Sequence, residues 1–295
     1  MSQIQNEEPL VSVVTPAYNA GAYIKNTIES VLRQTYQNFE LLIANYGSTD
    51  NTDKVVRAFS DPRIKYLYQD KNNGQSASRN AALAVARGKY IAFLDADDLF
   101  YPGKLAEQVS YMEAHPECDF CYCKIYHFFT EDPKTLYHLE MEHPSGRIFE
   151  RLLVNNFINP LSAMVRKEVF TKYGVFESKF WWADEQYLWL KLSYNKVNFC
   201  YLDKVLGQCR LHPNSFTNQP PYFKESQKQC LDILKLMRGW MSEAEIQRYG
   251  LEGLEKKIRM RIMLGRLMSG KNPFARILHS LYLLNRKRRL KKILV

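Results

Sequence analysis

The chain has 295 residues, 46% hydrophobic and 24% charged, which suits a soluble fold of one large domain or two small ones. Its formal charge of +10 is uneven: from Pro220 onward 18 Lys and Arg face 6 Asp and Glu, so the preceding body is close to neutral and nucleic acid binding by it is disfavoured. No stretch reaches the roughly 18 to 20 apolar residues of a membrane span, and Met1–Glu8 shows no basic segment followed by an apolar one, so a cytoplasmic location is expected.

Leu10–Thr15 is a β-branched run stopped by Pro16, which predicts a buried strand and then a loop. Ala22–Gln34 places Ile24, Ile28, Val31 and Leu32 at helical spacing. Phe39–Ala44 reads as a second strand ending at Asn45-Tyr46-Gly47-Ser48, and Thr49–Thr52 offers caps for a helix through Phe59. Ile64–Tyr68 is a third strand, Ser76–Ala86 an Ala-rich helix, and Lys89–Leu94 a fourth strand. Four alternations with short connections predict an α/β fold, a doubly wound and mainly parallel sheet with helices on both faces. Ligands bind beyond the carboxyl ends of such strands, so the loops at Pro16–Asn19, Asn45–Ser48 and Asp95–Asp98 should share one cleft. Neither a Gly-x-Gly-x-x-Gly turn nor a P-loop follows the first strand, which disfavours a dehydrogenase or a P-loop kinase.

The fourth strand runs into Asp95-Ala96-Asp97-Asp98, three carboxylates in four positions. Like charges this close make a poor core; they suit a divalent cation carrying a phosphorylated substrate, or a solvated turn capping the next segment. Beyond about residue 115 the loops lengthen. Cys118, Cys121 and Cys123 lie in a strand-like run with no second ligand pair at zinc spacing, so core cysteines are expected. Trp181 and Trp182 precede Asp184-Glu185, after which Leu188, Trp189 and Leu192 suggest a helix. From about Tyr222 the chain reads as helical and basic. Lys256 to Val295 holds 13 basic residues and no acidic one, with Phe274, Ile277, Leu278, Leu281 and Leu284 at helical spacing ahead of Arg286–Lys292. Such a segment suits an anionic membrane surface, or a helix lying on the body by its apolar stripe.

The motifs taken together resemble family 2 glycosyltransferases of the GT-A fold over roughly residues 10–216. They are Val11–Asn19, Glu29–Tyr36, Gly47–Thr52, Asn73-Gly74 with Ala77–Asn80, Gly88–Asp98 with Pro102, Asp184–Leu192, and Arg210–Ser215. The resemblance implies a nucleotide-sugar-binding half at 1–115 and an acceptor-binding and catalytic-base half of the same domain at 116–219; beyond it the residues themselves suggest a basic helical C-terminal extension at 220–295. The resemblance also implies metal-dependent, inverting transfer of a sugar from a nucleotide diphosphate, a UDP-sugar favoured, to a glycan or lipid-linked acceptor at the cytoplasmic membrane face. Asp97 would ligate Mn²⁺ or Mg²⁺, Asp95 would contact the ribose or a metal-bound water, and Asp98 would cap the next segment.

Pro16, Ala17, Tyr18, Asn45, Tyr46 and Ala96 would line the donor site, with Arg79 near the base or phosphates. The family's Glu-Asp pair is swapped here, and counting back from Leu188 puts Glu185 in the position of the base with Asp184 beside it. His212 would approach the diphosphate or metal, or serve structure; Trp181 and Trp182 would stack on an acceptor sugar, or pack in the core. Tyr46 stands where the family usually has an aspartate that reads uracil, which opens the donor base to question. A nucleotidyltransferase and a non-catalytic sugar-nucleotide-binding protein of the same fold are the rival readings.

Overall fold

The computed structural model describes residues 8–139, 141–218, 222–268 and 290–293. Strand β1 (Val11–Ala17) is followed by α1 (Ile24–Leu32), β2 (Phe39–Tyr46), α2 (Thr52–Arg57), β3 (Ile64–Gln69), α3 (Gln75–Val85) and β4 (Tyr90–Phe93). All four strands are parallel, in the spatial order β3-β2-β1-β4, with Val11 opposite both Phe39 and Tyr90. The order reverses beside β1, which puts the ligand crevice of such a sheet at the carboxyl ends of β1 and β4. Alternate residues feed two cores: Val14, Leu42 and Phe93 face one side of the sheet, Val13, Leu41 and Ala92 the other. Burial on both faces explains why these strands read as unbroken apolar runs.

Pro16 does not end β1; it pairs in register with Ala44 of β2. The Val14 carbonyl takes the last bond on the β4 side, from Leu94. Pro16 faces that same side two residues later, where β4 has already turned away and no ladder donor is required.

The second half adds β5 (Leu99–Phe100), α4 (Lys104–Ala114), β6 (Phe120–Phe129), β7 (Asp132–Leu139), α5 (Phe149–Val154), β8 (Ala163–Arg166), α6 (Lys167–Tyr173), α7 (Asp184–Tyr194) and β9 (Phe199–Leu211). Antiparallel β8 joins β4 to β6, and the long β9 runs parallel to β6 while pairing with β5. Strand β9 therefore crosses back to the acidic loop. Cys121 and Cys123 are buried thiols as expected, whereas Cys118 is joined to Cys200 in a disulfide; the parallel β6–β9 pairing draws these two cysteines together.

Helices α8 (Tyr222–Arg238), α9 (Glu243–Arg248) and α10 (Leu251–Met268) open the basic stretch. Cys230, Ile233, Leu234 and Met237 of α8 sit in the same core cluster as Leu188, Trp189 and Leu192 of α7. The end of that stretch departs from the helical expectation: β10 (Leu290–Ile293) pairs antiparallel with β7, closing an edge that would otherwise leave its backbone groups open. The amphipathic run from Phe274 to Leu284 lies outside the described residues. Among the described residues no helix is long and apolar enough to cross a membrane.

Candidate active site

Three loops at the strand ends form one wall of a cleft of about 980 Å³. The β2 turn requires a glycine: Gly47 sits at φ +75°, and a Cβ there would lie 3.0 Å from the Asn72 nitrogen. Short polar side chains then stitch the loops together. Asn19 Oδ1 accepts from the Thr49 amide at 2.8 Å, Ser48 Oγ accepts from the Asn19 amide at 2.9 Å, and Asp50 Oδ2 accepts from the Gly21 amide at 2.9 Å. These residues were not singled out from sequence, although Asn, Ser and Asp after a strand carry the general signal of such turns.

The predicted donor-site residues divide. Pro16, Tyr18, Tyr46 and Ala96 line the cleft, with the Tyr18 and Tyr46 rings stacked at 5.1 Å and 17°. Ala17 instead belongs to the core beneath, because its side chain follows the inward alternation of β1. Asn45 is buried, its Nδ2 donating to Tyr66 Oη at 2.7 Å and its Oδ1 accepting from the Ser48 amide at 3.1 Å, so it shapes the turn and does not line the cleft.

Arg79 is also placed differently from expectation. Its side chain is 0% exposed and does not line the cleft; it braces three carboxylates from below. Arg79 Nη2 donates to Asp95 Oδ1 at 2.9 Å, Nη1 donates to Asp184 Oδ2 at 3.1 Å, and both reach Glu185 Oε1 at 3.5 Å. The guanidinium lies over the Phe176 ring, 5.2 Å from its centre. Helix α3 delivers Arg79 and also Ser76, whose hydroxyl donates to Asp184 Oδ2 at 2.9 Å.

The swapped acid pair meets two environments. Asp184, 3% exposed, is consumed by Arg79 and Ser76; burial still holds its carboxyl above the usual range despite that cation. Glu185 keeps 26% of its side chain open to the cleft, and burial together with the neighbouring Asp184 pushes its pKa up to about 8. It is the member of the pair that can exchange a proton with a bound molecule.

On the acidic loop, Asp97 Oδ2 lies 2.9 Å from His212 Nε2, and the Tyr23 ring covers that imidazole at 4.5 Å. Asp98 is not a helix cap: α4 starts at Lys104 without a side-chain cap. Its buried carboxyl accepts from the Arg210 amide at 2.8 Å, because the β5–β9 pairing sets it opposite that backbone. Burial, with Asp97 and Asp95 alongside, raises its pKa well above the carboxylate range. Arg210 Nε adds a bond to the Asp97 carbonyl at 2.8 Å. Arg210 near the end of β9 and His212 just beyond it thus hold the loop, and of the two only His212 was anticipated.

Asp95 and Asp97 fit a hard divalent cation. Both side chains are more than a quarter exposed to the cleft, and Asp95 Oδ2 and Asp97 Oδ1 take no bond among the described residues. No trio of His, Cys, Asp or Glu converges there among those residues. A Mg²⁺-like ion that shares its shell with substrate phosphates and water needs only one or two carboxylates.

Also lining the cleft, Trp181 and Trp182 stack at 6.2 Å, and Trp182 stacks on Phe216 at 4.7 Å, all within 16° of parallel. Trp181 is 38% exposed, so the stack presents a ring to the cleft and is not simply core.

The model of glycosyl transferase family 2 matches residues 12–174, more than half of the chain. A β-1,3-glucosyltransferase of Escherichia coli, WfgD, named as taking UDP-Glc and α-D-GlcNAc-diphosphoundecaprenol, is 34% identical over 229 residues, covering 77% of this chain and 86% of that one. A putative teichuronic acid biosynthesis glycosyltransferase of Bacillus subtilis, TuaG, is 36% identical over 165 residues, 55% of this chain and 64% of the other. An uncharacterized glycosyltransferase of Rickettsia prowazekii is 30% identical over 71% of this chain, which spans 66% of its length. Among solved structures, S. aureus TarS with UDP-GlcNAc gives a TM-score of 0.63 at 19% identity, covering 85% of this chain and 72% of that one. The mannosyltransferase PcManGT of Pyrobaculum calidifontis with GDP-Man and Mn²⁺ gives 0.62 at 18%, covering 95% and 81%. The GT-A fold is common to them, and with more than half of its length matched by the family model the chain belongs to glycosyl transferase family 2.

Proposed function

We propose that the protein is an inverting, metal-dependent glycosyltransferase that moves a sugar from a nucleotide diphosphate, a UDP-sugar by preference, to a hydroxyl of a glycan or lipid-linked acceptor. The observation that carries this reading is Glu185: a cleft-facing carboxyl of raised pKa, set across a buried arginine from Asp95 and near the aromatic stack. Asp95 and Asp97 would hold Mn²⁺ or Mg²⁺, which when bound neutralises charge on the departing diphosphate. Glu185 accepts the proton of the attacking hydroxyl; that oxygen bonds to the anomeric carbon from the face opposite the diphosphate, whose bond to the same carbon breaks. Asp184 takes no proton in this scheme: Arg79 and Ser76 hold it in place, and Arg79 also reaches Glu185. Tyr18 and Tyr46 offer stacked rings to the nucleobase, and Trp181 and Trp182 offer theirs to the acceptor sugar, whose C–H face suits an aromatic surface.

WfgD is named for a lipid-linked substrate, which supports placing this chain at a membrane through its basic C-terminal segment. The decisive experiment is turnover of a panel of sugar nucleotides with and without Mn²⁺. Mn²⁺-dependent release of nucleotide diphosphate, lost in Asp97→Ala, is expected. The reading fails when no donor is turned over and Asp97→Ala changes nothing.

A further inference from the structure

Two adjacent residues of α8 grip the chain on both sides of Asp184-Glu185. Gln229 Oε1 accepts from the Trp182 amide at 2.7 Å, and Gln229 Nε2 donates to the Lys179 carbonyl at 3.2 Å. One side-chain amide thereby closes the turn Lys179–Trp182, which delivers both tryptophans and then the acid pair. The next residue, Cys230, donates its thiol to Gln186 Oε1 at 3.1 Å, just past Glu185. Behind this grip Ile233, Leu234 and Met237 of α8 belong to the core cluster that also holds Leu188, Trp189 and Leu192 of α7. Helix α8 lies beyond residue 174, where the family match ends.

We infer that Gln229 is a positioning residue for transfer: with Cys230 it fixes the turn that sets Glu185 and the Trp181-Trp182 stack in the cleft. This rests on the glycosyltransferase reading above. Gln229 touches no reacting atom; it acts through the Trp182 amide. Within the turn the Phe180 amide donates to the Glu177 carbonyl and the Ala183 amide to the Phe180 carbonyl, each at 2.9 Å, and Phe180 and Ala183 are anchored in the core; Gln229 ties the stretch between them to α8. A displacement of about an ångström in a base can cost on the order of a hundredfold in rate, so the Gln229 bonds to this turn matter to the chemistry.

The test compares Gln229→Met, which keeps the side-chain length and removes both bonds, with Gln229→Glu, which keeps the oxygen that accepts from Trp182. Steady-state hydrolysis of UDP-glucose and UDP-N-acetylglucosamine by the full chain with Mn²⁺ is the assay. Gln229→Met should lower kcat by about tenfold or more with the donor KM unchanged, and Gln229→Glu should restore kcat to within about threefold. A kcat for Gln229→Met within about twofold of the parent overturns the inference. So does a fall matched by a rise in donor KM, or one that Gln229→Glu does not rescue, because either marks general loosening. A parent chain that turns over no donor in the wider panel sinks the glycosyltransferase reading itself, and the inference with it.

Discussion

Asp184 and Glu185 adjoin in sequence and differ in what surrounds them. The native Glu185 carboxyl holds its proton up to about pH 8, whereas the same group in the unfolded chain loses it near 4.5. Between those values the folded state binds more protons, so its contribution to stability falls as pH rises. Glu185→Gln removes that decline. In the metal-free chain its melting temperature should match the parent near pH 4, exceed it progressively as pH rises, and keep the full margin above pH 8. Transfer by the parent should climb through the same interval, because the base works only when ionised, and Glu185→Gln should abolish it. Calorimetric melts and a pH–rate profile check the two halves. The acid types and their spacing were legible in the sequence. Spacing from Leu188 also put Glu185 in the position of the base; the different surroundings of the two acids were not legible, since they depend on Arg79 and Ser76, more than a hundred residues away along the chain.

At the scale of elements, the alternation of β-branched runs with helical periods sufficed for the parallel strands and their cleft, because each signal is local. Pairings made by later strands carry no local signal. Asp98 is the clearest case: in isolation it resembles a cap, and only the arrival of β9 gives it the Arg210 amide. That bond supports a prediction. Asp98→Ala should cost about 1–3 kcal/mol in urea unfolding by leaving a buried amide unpaired. Asp98→Asn, which keeps an accepting oxygen and resembles the neutral acid, should cost much less. The same blindness to distant partners explains Arg79, whose position on α3 was read from a motif and whose partners come from the acidic loop after β4 and from α7. The Cys118–Cys200 pair, too, follows from the β6–β9 register and not from spacing.

Over the whole molecule, composition separated a neutral body from a basic C-terminal stretch, and charge is indeed unevenly spread. What composition cannot express is that α8 supplies apolar side chains to the central core while α10 exposes Lys256, Lys257, Arg259 and Met260. Truncation should therefore behave in two ways. Ending the chain after residue 218 strips Cys230, Ile233, Leu234 and Met237 from the core and should yield insoluble protein. Ending it near Asn272 should leave a folded chain that no longer floats with anionic liposomes, while the full chain does. Equal flotation of both would remove the C-terminal segment from the membrane proposal.

The contacts that assemble the acid cluster also govern when the protein becomes competent. Ser76 and Arg79 reach Asp184 across 108 and 105 residues of chain, and Asp97 meets His212 across 115. Contacts this distant are slow to form, since the intervening chain must first be brought to closure. During synthesis, at roughly 5–20 residues per second, the four parallel strands leave the ribosome well before Glu185 and His212 exist. For that interval Arg79 is already present beside Asp95, but Asp97 and Asp98 stand without the His212 imidazole and the Arg210 side chain and amide that later hold them. The nascent half-sheet is thus a strongly anionic edge awaiting its partners.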